Sequence, residues 1–123
     1  MNLALLLRSA SPFWRWSFWG LVLVTLWLSL IPSEQVPQGL HFWDKAQHAA
    51  GFAGLGFLGL IAYPVRTGAV LLSLALFGIG IEVAQWLTGW RHGDLQDWVA
   101  DCVGIAIGYA GWWGAALAIR MRR

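Results

Sequence analysis

The sequence predicts an all-α fold, an integral membrane bundle of four transmembrane helices with both termini in the cytoplasm. Three observations carry that prediction. The 123 residues are 59% hydrophobic and only 11% charged, before fifteen glycines are counted, whereas an ordinary soluble domain is roughly 45–50% apolar and about 25% charged. Four apolar stretches each approach the roughly 20 residues that cross a bilayer. The arginines gather at one end of those stretches and the acids at the other. The same figures exclude a disordered chain, which is apolar-poor and charge-rich. Nucleic-acid binding is excluded too, because the net charge of +2 comes from scattered arginines and not from a basic stripe.

The first span runs from about Trp16 to Ile31 and stops at Pro32. The second runs from about Phe42 to Tyr63 and stops at Pro64. The third runs from about Ala69 to Leu87, with Gly89 marking its end, and the fourth from about Leu95 to Ile119, before a basic tail. Proline and glycine are ordinary punctuation at such ends. Residues 3–7 form a short apolar run that Arg8 closes too early for a secretory signal peptide. With no internal repeat or low-complexity tract, residues 1–123 read as one domain.

Arg8 and Arg15 precede span one, Arg66 separates spans two and three, and Arg120, Arg122 and Arg123 end the chain. The opposite side carries Glu34, Asp44, Asp94 and Asp97, with only Lys45 and Arg91 as cations. The positive-inside rule therefore places both termini in the cytoplasm. All tryptophans except Trp27 fall near the predicted interfaces. Cys102 is solitary and carries no disulfide information.

Most remaining ionisable groups fall between His41 and His48 or between Glu82 and Asp101, at the outer ends of spans two, three and four. His41, Asp44 and His48 are three and four apart and share one helical face, with Lys45 beside them. Asp94, Asp97 and Asp101 repeat that spacing at the head of span four. Gly104 and Gly108 continue the stripe as a G-x-x-x-G face that permits close helix packing. Glu82 and Gln85 form a polar face on span three, with Glu82 roughly 6–9 Å inside the outer boundary at 1.5 Å per residue. A charged carboxylate near mid-bilayer costs about 2.5–3.5 kcal/mol even on the lenient insertion scale. Glu82 and Asp101 should therefore face the bundle interior. Each polar group taken singly also has a structural reading, as interhelical glue or as an interfacial charge. Their convergence at one depth is what points to a site.

The elements Asp44-Lys45-x-x-His48, Glu82-x-x-Gln85, Arg91-x-x-Asp94-x-x-Asp97, and Asp101 with Gly104 and Gly108 together resemble the VanZ-like family, across roughly residues 41 to 108. That family often carries asparagine where this chain has Asp101. The resemblance implies a small multi-span protein of the bacterial cytoplasmic membrane, related to a member linked to resistance to glycopeptide antibiotics such as teicoplanin. It further implies kinship with enzymes that exchange head groups on lipid phosphates.

The cluster combines cations, acids and imidazole at head-group depth. His48 could serve as nucleophile or general acid/base, with Asp44 or Glu82 orienting it and Asp97 in the same catalytic set. Lys45 and Arg91 could hold a phosphate, with Gln85, Asp94 and Asp101 completing the binding set. Asp94, Asp97 and Asp101 could instead hold Mg²⁺ or Mn²⁺ through oxygen ligands. Three function classes follow. The first transfers or hydrolyses a phosphate-linked lipid head group at the outer face of the membrane. The second is a non-catalytic accessory protein shielding a lipid-linked envelope precursor. The third, a proton or ion carrier, ranks last because below Glu82 span three offers only Ser73 and glycines, and alternating access in four spans would call for a homo-oligomer.

Overall fold

The computed structural model describes residues 11–40 and 43–122; Arg8, His41, Phe42 and Arg123, which the sequence singles out, lie outside them. The described residues form four α-helices and no strand: α1 (Pro12–Leu30), α2 (Asp44–Ala62), α3 (Thr67–Thr88) and α4 (Leu95–Met121). Two short 3₁₀ turns, Ser33–Gln35 and Gln38–Leu40, cross from α1 toward α2.

Each helix starts and stops for a local reason. Ser11 caps α1 by accepting a hydrogen bond from the Phe13 N–H at 3.2 Å, and Pro12 occupies the first turn, where its missing donor costs nothing. Pro32 and Pro64 follow the ends of α1 and α2. Gly89 ends α3 in a left-handed conformation with φ of 79°, which a Cβ would disfavour. Asp94 caps α4 through a carboxylate that accepts from the Gln96 N–H at 2.9 Å. α1 starts four residues before its apolar run, α3 and α4 overrun theirs by one or two residues, and α2 falls one or two residues short at each end, because caps and not hydropathy set the ends.

α1, α3 and α4 are long and apolar enough to cross a membrane, at roughly 28, 33 and 40 Å for 1.5 Å per residue. α2 is as long as α1, at 19 residues. It falls short of that class because Asp44, Lys45, Gln47 and His48 occupy its first two turns. The structure thus gives the four expected helices, three of them of spanning type.

The helices run up and down. The end of α1, the start of α2, the end of α3 and the start of α4 meet at one pole, where Gln85 of α3 reaches the Ser29 carbonyl and Lys45 of α2 reaches Asp97. At the other pole the Trp19 indole donates to the Tyr63 hydroxyl at 2.9 Å, and Phe18 packs edge-on to Tyr63. α2 and α4 are the closest pair. A Cβ at Gly104 or Gly108 would collide with the Ala49 or Ala53 carbonyl oxygen, and one at Gly56 would lie 3.3 Å from the Ile105 oxygen. The core of the bundle holds Phe52, Leu55 and Leu60 of α2, Leu74 and Ile81 of α3, and Ile105 of α4. Outside, Trp16, Leu72, Leu87 and Leu95 are more than half exposed, while Gln85, Asp97 and Asp101 are buried. This inversion of a soluble protein is what a hydrocarbon solvent selects.

Candidate active site

The first two turns of α2 carry Asp44, Lys45 and His48 on one face, and that face meets the first turns of α4. Because α4 approaches α2 on glycine, the backbones come close enough for side chains to pair across the gap. His48 is the hub. Its Nδ1 lies 2.8 Å from Asp101 Oδ1 and 3.9 Å from Glu82 Oε1, and its Nε2 lies 3.6 Å from Asp97 Oδ2. Lys45 donates to Asp97 Oδ1 at 3.0 Å and pairs with Asp94 Oδ2 at 3.6 Å. Glu82 reaches over from α3, where its Oε2 accepts the backbone N–H of Asp94 at 2.7 Å.

The side chains of His48, Glu82, Asp97 and Asp101 are only 10, 11, 6 and 0% exposed. Burying charge is costly unless it is paired and hydrogen-bonded. Three carboxylates here face one imidazole and one ammonium. Even an imidazolium leaves one negative charge for a proton or a cation to neutralise. The oxygens Glu82 Oε1 and Asp101 Oδ2 are buried and accept no hydrogen bond among the described residues.

Two overlapping sets bring ligand atoms within 4.8 Å of one another, Asp44–His48–Asp97 and His48–Glu82–Asp101. Asp94 belongs to neither. Seven residues of helix separate Asp94 from Asp101 by roughly 10 Å along the axis, so the aspartate stripe of α4 is divided between neighbours. Asp94 itself caps α4 and salt-bridges Lys45.

A polar pocket of about 290 Å³ opens beside His48, walled by Ser33, Asp44, Gln85, Arg91, His92 and Asp97 among others. Arg91 is held through Nη1 by the Ile31 carbonyl at 3.4 Å and the Ser33 hydroxyl at 3.3 Å. Gln85 donates to the Ser29 carbonyl at 3.0 Å, and Trp90 to the Leu30 carbonyl at 2.8 Å. Carbonyls at the end of α1 thus anchor three residues of the wall, although the sequence there offers only an apolar run. Lys45 is not on this wall. His92 and Gln47 are, and the sequence reading passes over both. Their signal is adjacency, since each sits next to a residue already singled out.

The pattern of the VanZ/LLP1 family matches residues 3–119. The chain belongs to the VanZ/LLP1 family. Neither the curated proteins nor the solved structures returned a match. Together with three helices of spanning type, membership marks this VanZ/LLP1 chain as a membrane protein.

Proposed function

We propose that this VanZ/LLP1 protein acts on a phosphate-linked lipid head group, by transfer or hydrolysis, at the outer face of the bacterial cytoplasmic membrane. The observation that carries the reading is His48, oriented by a buried carboxylate at 2.8 Å on one nitrogen and bordering a polar pocket. With Nδ1–H donated to Asp101, Nε2 carries the lone pair on the side of Asp97, which lines the pocket, while Glu82 and Asp101 lie behind. His48 then takes the proton from an attacking water or alcohol and returns it to the leaving head-group oxygen. Asp101 stabilises the imidazolium formed between those steps. The phosphate sits against Arg91 and His92, since the Lys45 ammonium is committed to Asp97 and Asp94. Asp44 and Gln85 border the head group. The oxygens Glu82 Oε1 and Asp101 Oδ2, which accept no hydrogen bond among the described residues, would offer a divalent cation such as Mg²⁺ or Mn²⁺ two ligands behind His48, where the ion would neutralise the surplus carboxylate charge.

The outward orientation is part of the same proposal. Arg15, Arg66, Arg120 and Arg122 mark the pole opposite the pocket, and the positive-inside rule assigns that pole to the cytoplasm. A change in glycopeptide susceptibility would follow if the lipid is an envelope precursor.

The test incubates full-length protein in lipid nanodiscs with labelled phospholipids and polyprenyl phosphates, with water or alcohol acceptors, in EDTA, Mg²⁺ or Mn²⁺. Release or exchange of a head group is the expected result. No turnover under any of these conditions would leave shielding of a lipid-linked precursor as the better reading.

A further inference from the structure

Two cavities meet at His48. The polar pocket of about 290 Å³ shares Val36, Gln47, His48 and Arg91 with a second cavity of about 230 Å³. That second cavity runs between α1 and the start of α2, walled by Leu21, Val24, Leu28, Leu40, Gly51 and Phe52. Val24 and Leu40 on its rim are 49 and 39% exposed, and α1 is a spanning helix. Its open side therefore faces hydrocarbon chains when α1 lies in a bilayer. Neither cavity alone reaches the roughly 300–1,000 Å³ of ordinary small-molecule sites, but joined they do.

We infer that the apolar cavity seats one hydrocarbon chain of the phosphate-linked lipid, which reaches His48 sideways from the bilayer between α1 and α2. The inference deepens the head-group reading and rests on it for the phosphate end. Charge and polarity are graded along the joined cavity as an amphiphile requires. Arg91 and His92 stand at one end, and the other is walled mostly by apolar side chains, with Thr25 set among them. Gly51 fits the same account. It lines the apolar cavity, and a Cβ there would meet no heavy atom within 4 Å. Glycine at this position leaves the cavity open without being required by helix packing, in contrast to Gly104 and Gly108. The substrate class is thus a membrane-resident phospholipid or polyprenyl phosphate, and soluble phosphodiesters lack the part that fills this seat.

The test uses full-length protein in nanodiscs containing phosphatidylglycerol with a diazirine at mid-chain. Diacylglycerol bearing the same diazirine chain is the comparison. After irradiation, cross-links should concentrate on the facing residues of α1 and α2, at least about tenfold above those from the neutral lipid. Gly51→Phe should lower them at least about tenfold, since displacing two methylenes is enough for that factor. Leu28→Trp fills the cavity from the opposite wall and should do the same. Gly20→Phe, on α1 where a Cβ also meets nothing within 4 Å but outside this cavity, should leave them unchanged. Cross-links spread over all four helices, equal labelling by the neutral lipid, or indifference to both cavity-filling variants would overturn the inference. Localised labelling with no head-group turnover would refute the catalytic reading and leave the chain seat standing. Turnover without localised labelling would do the reverse.

Discussion

Replacing Gly104 by alanine tests whether the α2–α4 contact holds the site together. The new Cβ would land on the Ala49 carbonyl oxygen and within 2.9 Å of the Ala49 Cα, whereas carbon atoms prefer about 3.5–4.0 Å. Both groups are backbone, so no side chain can swing aside. α2 must retreat by roughly 1 Å. Ala49 follows His48 in the chain, and Asp101 lies one turn before Gly104. The retreat therefore stretches the 2.8 Å contact between His48 and Asp101 beyond hydrogen-bond range. Overpacking costs about 1–3 kcal/mol, and a lost hydrogen bond to a charged group about 1.5–3 kcal/mol; because the two are coupled, they do not add in full. A net loss of about 2–3 kcal/mol, or roughly 30- to 150-fold in the folding equilibrium, is the expectation. Gly114→Ala is the control. It lies on the same helix with nothing within 4 Å of a Cβ, and should stabilise by up to about 1 kcal/mol. Equilibrium unfolding in mixed detergent micelles, followed by helical circular dichroism, measures both. If Gly104→Ala unfolds at the wild-type midpoint or tracks Gly114→Ala, the close approach of α2 and α4 does not exist as described.

Three further predictions follow from the same geometry. Asp101→Asn keeps a carbonyl oxygen to accept from His48 and should unfold near wild type, whereas Asp101→Ala leaves a buried imidazole nitrogen unpaired and should lose about 1–3 kcal/mol; equal midpoints in the same titration would contradict the pairing. In a Cys102→Ser background, Gln38→Cys and Gln96→Cys should react with a membrane-impermeant thiol reagent added outside intact cells, and a cysteine at Arg122 should not. The opposite pattern inverts the topology. Gly93 is unsuitable for this assay, because a Cβ there would collide with the Glu82 carbonyl oxygen. Asp97→Asn removes the charge that pairs with Lys45 and borders His48 Nε2, and should reduce head-group turnover at least about tenfold while the protein still elutes as a folded species.

The helices were legible because membrane spans announce themselves by apolar length, and their ends by Pro32, Pro64 and Gly89. The faces of the site were legible as well. The four-residue spacing of Asp44 with His48, and of Asp97 with Asp101, places each pair on one side of its helix whatever the neighbours do. Partner choice was not. Whether His48 meets Asp97 or Asp101 most closely depends on the axial register of α2 against α4, which is fixed by Ala49 and Ala53 seating on Gly104 and Gly108, and its distance to Glu82 depends on where α3 packs. No single-helix periodicity contains that information. Asp94 was read by its charge, but its place at the start of α4 makes it a cap. The contribution of α1 was hidden for another reason. It supports the site by accepting from Gln85, Trp90 and Arg91 at the carbonyls of Ser29, Leu30 and the capping Ile31, and backbone groups leave no trace in a sequence.

The most direct test compares head-group turnover by wild-type protein, His48→Ala and His48→Gln on the same lipid panel, using full-length protein in nanodiscs. The account predicts measurable conversion by wild type and a loss of about 10²–10⁴-fold in both variants, the range expected on removing a general acid/base. It also predicts that all three proteins retain their helical content. Turnover by His48→Ala at the wild-type rate, with Asp101 and Asp97 left in place, would contradict the claim that His48 performs the chemistry.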